Sequence, residues 1–218
     1  MPALLHIDSS ATPGSVSRRL AGVYREVWAQ EDPAGTVVHR DLVRTPVPHL
    51  DPDGLHTLLG APGNDAQRAA AALHDELVDE LLGADALLVS APMYNWSLPS
   101  NLKAWLDQTL IMGRTLPYDP AANPLAGRPA TVVLAYGGGY ETGTEEGLMN
   151  HLEPYLRTVF STVLGYDLTV VSARMTLSDP EYGASPEDVR RRDDSLAQAL
   201  TAVRARAREA ARLLSARV

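Results

Sequence analysis

Short, continuously apolar runs alternate along the chain with longer stretches whose apolar residues recur every three or four positions. The runs at 3–7, 36–42, 86–91, 130–136 and 168–173 read as strands, most of them closed by polar or glycine residues. Helices are predicted at 16–30, from Leu20, Val23, Val27 and Trp28, and at 66–82, from Ala69, Leu73, Leu77 and Leu81, with Gly83 in a C-cap position. Pro99 opens a further helix at 99–112, where Leu102, Trp105, Leu106 and Leu110 keep the helical interval. A helix over 144–164 carries Pro154, which predicts a kink or a restart, and a long final helix covers 186–216. The stretch 45–64, rich in Pro, Asp and Gly, is an irregular connection with a short helical turn at 55–59.

Strands that are apolar throughout, rather than alternating, are buried on both faces, and their separation by helices implies a parallel sheet. Five of them predict an α/β fold, a doubly wound five-stranded parallel sheet with helices on both faces. One domain spans residues 1–218, without a linker or an internal repeat. In such a sheet ligands sit outside the carboxyl ends of the strands, which singles out the loops 8–17, 91–97 and 136–143.

Composition then narrows the partners. The 218 residues are 45% hydrophobic and 21% charged, an ordinary balance for a folded protein. A net charge of -8 excludes a duplex nucleic acid partner, because phosphate binding needs clustered Lys and Arg. The basic residues at 190–192, 204, 206, 208 and 212 are interleaved with acids and alanines and read as a solvated helix face. Without cysteine there are no disulfides, thiol nucleophiles or thiolate-held metals. The first eight residues show no charged leader or cleavage site, and no apolar run is long enough to span a bilayer, so a soluble cytoplasmic protein is expected.

Each strand-end loop carries candidate chemistry beside a plainer alternative. In the first, Ser9, Ser10, Ser15 and Ser17 supply hydroxyls and Gly14 flexibility just before a helix N-terminus, where unpaired N–H groups favour an anion; Arg18 and Arg19 add positive charge. Helix capping by Ser15 or Ser17 explains the same residues. In the second, Met93, Tyr94, Asn95 and Trp96 offer apolar faces and edge donors of the kind a flat heteroaromatic ring needs, although aromatic clusters also fill cores. In the third, Gly137, Gly138 and Gly139 let backbone approach a ligand, or form only a turn. Neither GxGxxG nor a P-loop is present, and the six histidines show no HExxH pairing, nor is there a GxSxG elbow.

Taken together, SSATPGSVS, APMYNWSLPSNLKAWLD, GRTLPYD and AYGGGY resemble the phosphate loop, the P-M-Y-N flavin motif, the G-x-T-F-x-Y segment and the S-R-G-G-x-H loop of the FMN-dependent NADH azoreductase family, within the flavodoxin-like NAD(P)H quinone reductases. The resemblance implies a flavodoxin-like fold and FMN held by Ser9, Ser10, Ser15, Val16, Ser17, Pro92, Met93, Tyr94, Asn95, Trp96, Tyr136, Gly137, Gly138 and Gly139. It implies substrate contacts from Leu116, Tyr118 and Tyr140, and no catalytic side chain or metal, the flavin itself performing hydride transfer. It further implies NADH or NADPH as donor, a quinone or azo compound as acceptor, ping-pong kinetics, and a homodimer whose partner helps close each pocket. Tyr136 stands where the family has arginine, Tyr140 where it has histidine, and Leu116 where an aromatic residue is frequent. Two alternatives remain open at this point: a flavin reductase dedicated to one aromatic biosynthetic intermediate, and an electron-carrying flavodoxin without NADH turnover.

Overall fold

Alternating burial on a continuously apolar strand decides how the sheet is covered. Along β3 (Ala86–Pro92), Leu87, Val89 and Ala91 enter one hydrophobic cluster while Ala86 and Leu88 enter the other. β1 (Ala3–Asp8) and β4 (Pro129–Ala135) divide in the same way, so each central strand is buried on both faces. The computed structural model describes residues 1–215.

With β2 (Thr36–Asp41) and β5 (Asp167–Ala173), these strands form one parallel sheet in the order β2-β1-β3-β4-β5. That is the doubly wound order in which the chain reverses direction across the sheet between β1 and β3, opening a crevice at their carboxyl ends. One face is covered by α1 (Val16–Glu31) and α7 (Pro186–Ser215), which contribute Leu20, Tyr24, Trp28, Val203 and Ala207. The other carries α3 (Asp65–Gly83), α4 (Ser100–Thr109) and α6 (Leu152–Arg157), with Leu77, Leu81, Trp105 and Leu156. The remaining helices are α2 (Pro52–Leu59) and the single turn α5 (Glu145–Leu148).

Several elements depart from expectation. The helix expected over 144–164 breaks at Asn150, whose side chain accepts from the N–H groups of Leu152 and Glu153. Pro154 then falls in the first turn of α6, where its missing N–H costs nothing, and a π-helical turn at Thr158–Val163 follows. Gly83 is the last residue of α3 rather than its cap; Ala84 caps at φ -87°, outside the left-handed region. The helix expected to run to Met112 stops at Thr109, because the buried Thr115 hydroxyl donates to the Thr109 carbonyl (2.5 Å) and accepts from the Ile111 N–H (3.0 Å). Arg206 does not lie on a solvated face: it is 6% exposed and reaches the Asp167 carbonyl and carboxylate, tying α7 to β5. The end expected for the final helix, Ala216, lies outside the described residues. No described helix is long and apolar enough to cross a membrane.

Candidate functional site

A cleft of about 300 Å3 opens at the carboxyl ends of the strands. Its walls come from Ser10, Thr12, Gly14, Ser15 and Val16 after β1, from Pro92, Met93 and Tyr94 at the end of β3, from Ala135 of β4, and from Thr176 and Leu177 after β5. The two loops nearest the crevice are joined directly, since the Tyr94 hydroxyl accepts from the Ala11 N–H at 3.1 Å.

At the α1 end of the cleft the Ser15 side chain caps the helix by accepting from the Arg18 N–H, and its hydroxyl lies 2.9 Å from that of Ser17. Capping and cradling coexist here: among the described residues the N–H group of Val16, which lines the cleft, has no protein acceptor, as befits a helix N-terminus open to an anion. Of the five first-loop residues expected at a phosphate, Ser10, Ser15 and Val16 line the cleft. Ser9 does not, because its hydroxyl turns into the sheet and donates to the Ser90 carbonyl at 2.9 Å; Ser17 is fully buried beneath Ser15.

The second loop is a tight hairpin in which Tyr94 and Ser97 exchange both backbone hydrogen bonds at 3.0 Å. Asn95 (φ 46°) and Trp96 (φ 66°) occupy its tip, both left-handed, as a type I′ turn requires. Pro92, Met93 and Tyr94 therefore face the cleft, whereas Asn95 and the half-exposed Trp96 project at its rim. The Trp96 carbonyl accepts from the His151 N–H, which ties the hairpin to the start of α6. Beyond the hairpin lies a wider groove of about 640 Å3 between α4 and α6, edged by His49, Leu98, Lys103, His151 and Tyr155.

The third loop behaves differently. Tyr136 is fully buried; its hydroxyl donates to Glu153 and accepts from Asn150, while Arg174 stands 5.1 Å over its ring. Burial raises the phenol pKa, so Tyr136 is a neutral core residue. The glycines bring backbone against backbone: the Gly138 carbonyl accepts from Met175 and that of Gly137 from Leu177, and a Cβ on Gly137 would meet Leu177 Cδ1 at 2.7 Å. Tyr140 (φ 51°) leans on Tyr136 with ring centroids 6.0 Å apart. Leu116 packs against the core and Tyr118 is 82% exposed beside Gly113, and neither lines the cleft within one chain.

Thr176 and Leu177 lie in the loop after β5, which is not among the three strand-end loops singled out from the sequence. The rule that ligands sit beyond strand ends would have included it. Met175 in that segment has φ 59°, so the four non-glycine residues with positive φ among those described all lie beyond the ends of β3, β4 and β5.

Beneath the cleft, polar side chains fill the sheet end. His6 and His39 stack with centroids 4.6 Å apart, and Ser90 lies 3.3 Å from His6 Nε2 and donates to Asp8 at 3.0 Å. Burial, then the fields of His39 and Arg25, lower the His6 pKa to about 3, so it is neutral. Burial raises the Asp8 pKa, but hydrogen bonds from His39, the Ser10 N–H and Ser90 outweigh it and hold the carboxylate below its ordinary range. His6, Asp8 and His39 offer three ligand atoms within 4.8 Å of one another. Their two imidazole planes are parallel within 5°, so the lone pairs do not converge, and Arg18 already pairs with Asp8 at 2.9 Å.

The family model for the flavodoxin-like fold matches residues 2–205. An FMN-dependent NADH:quinone oxidoreductase of Frankia alni is 42% identical over 181 residues, covering 82% of this chain and 86% of the relative. One from Frankia casuarinae is 39% identical over 210 residues, covering 95% and 99%. Among solved structures, an azoreductase of Bacillus anthracis superposes with a TM-score of 0.82 at 19% identity, over 96% of this chain and 100% of that one. An FMN-dependent NADH-azoreductase from the same species, in complex with FMN, gives 0.80 at 21% identity, over 97% and 100%. These structural likenesses speak for the fold, and the sequence relatives for the lineage: the chain belongs to the flavodoxin-like-fold family, in the branch of the FMN-dependent NADH:quinone oxidoreductases.

Proposed function

We propose that this protein is an FMN-dependent NADH:quinone oxidoreductase that also accepts azo compounds, with the flavin seated in the cleft at the strand ends. The observation that carries the reading is the pairing, in one cleft, of an N–H cradle at the start of α1 with an apolar wall of Pro92, Met93, Tyr94 and Leu177. An anion fits the first and the face of a flat ring the second.

When bound, FMN would supply the hydride chemistry between NADH and the acceptor. The chain's own contribution is binding and orientation. Val16 offers its N–H group to the phosphate, with the Ser10 and Ser15 hydroxyls beside it. The left-handed Asn95 and Trp96 present backbone at the ring edge, and Leu177 limits water from the β5 side. A single cleft serving donor and acceptor in turn gives parallel initial-rate lines. What supports a homodimer is Tyr118, an aromatic ring left 82% exposed on the surface of one copy, which a second copy would cover. A cytoplasmic location follows, since NADH is supplied there.

Incubation with FMN followed by gel filtration should leave a yellow protein that oxidises NADH with a simple quinone as sole acceptor. A protein that stays colourless refutes the flavin site. Bound flavin without NADH turnover would identify an electron carrier instead.

A further inference from the structure

Two carboxylates are buried beneath the first loop. Asp8 and Asp41 end the adjacent strands β1 and β2, paired in register, and are 2% and 8% exposed. Two carboxylates in that place would oppose a phosphate dianion bound at the start of α1. Arg18, in the first turn of α1, stands against both: its Nη1 lies 2.9 Å from Asp8 Oδ2 and 2.8 Å from Asp41 Oδ2. Its Nη2 donates to Asp41 Oδ1 at 3.1 Å and to the Ser10 carbonyl at 2.7 Å, and its Nε donates to the same carbonyl at 3.3 Å. Every guanidinium nitrogen is engaged with protein, so none remains for direct contact with a ligand.

We infer that Arg18 is a positioning residue for the flavin phosphate rather than one of its ligands. Its single positive charge is shared between Asp8 and Asp41 and offsets one of their two negative charges, and it draws inward the Ser10 carbonyl, an oxygen that would repel phosphate. Lysine cannot replace it, since a point charge does not hold two carboxylates and a carbonyl in one plane. The inference rests on the flavin reading above and makes a demand that reading does not: the phosphate half of the cofactor depends on Arg18, and the ring half does not.

Riboflavin carries the ring without the phosphate, so the test compares Kd values of FMN and riboflavin for apoprotein, by quenching of flavin fluorescence. In Arg18→Met, FMN should weaken by about tenfold or more while riboflavin changes by less than about threefold. Adding Asp41→Asn to Arg18→Met should recover much of the FMN loss, because one opposing charge is gone. If Arg18→Met does not fold, the single variant Asp41→Asn carries the test, and FMN should tighten relative to riboflavin. Equal loss of both flavins, or an unchanged ratio in Asp41→Asn, assigns Arg18 a structural role only and overturns the inference while leaving the flavin site intact. Wild-type protein that binds neither flavin removes the site and the inference together.

Discussion

His6 bears the largest electrostatic displacement in the cluster beneath the first loop. Buried in β1, it takes a proton only near pH 3, whereas the unfolded chain takes one near 6.5. Between these values the unfolded state binds more protons, so stability is complete above pH 6.5 and is lost as pH falls toward 3. The slope is on the order of 1 kcal/mol per pH unit. The melting temperature of His6→Gln should decline less steeply than wild type between pH 6.5 and 4; parallel curves would refute the assignment. Below about pH 4 both proteins should lose stability together, because Asp8 and Asp41 are held ionised below the ordinary carboxylate range. Residue identity told which groups could act, but not where they point. Ser9 looks like Ser10 in sequence, yet its hydroxyl is spent on the Ser90 carbonyl, and Ser17 looks like Ser15 but is fully buried with its hydroxyl 2.9 Å from that of Ser15. Tyr136 likewise reads as the start of a ligand loop and proves to be the last core residue of its strand segment.

Among the elements, the strands were legible to within a residue or so: β1, β3 and β4 because burial on both faces demands unbroken apolar runs, and the more exposed β2 and β5 because β-branched residues dominate their middles. Helix ends were less so, since they depend on partners far along the chain. The stop of α4 is set by Thr115, fully buried, whose hydroxyl serves both the Thr109 carbonyl and the Ile111 N–H. Thr115→Val keeps the shape and removes both bonds, leaving buried polar groups unpaired at a cost of about 1–3 kcal/mol. In a chain of this size each kcal/mol lowers Tm by roughly 2–4 °C. Calorimetry should show that drop, and an unchanged Tm would mean that water takes over the hydroxyl's role. The segment after β5 carries no compositional mark of a cleft wall, and only its place beyond a strand end points to it; it reaches the cleft because β5 lies next to β4 and its amides bond the glycine loop.

At the scale of the molecule, a cofactor that binds only the folded state raises Tm by mass action. With FMN at a hundredfold excess over its Kd, the midpoint should rise by roughly 5–10 °C, and riboflavin at the same concentration should give less. Sedimentation should find a dimer, and a monomer at working concentrations would remove the role proposed for Tyr118. The alternation of apolar runs with helical periods determined the α/β class, and the motifs at 9–17 and 91–107 pointed to the lineage, since burial and loop chemistry are written locally. Only the tertiary structure decided which loop residues share the cleft, that Arg18 is occupied by Asp8, Asp41 and Ser10, and that the β5 loop closes one side. The physical reason is that these contacts join residues remote in sequence, and only the strand order β2-β1-β3-β4-β5 brings them together.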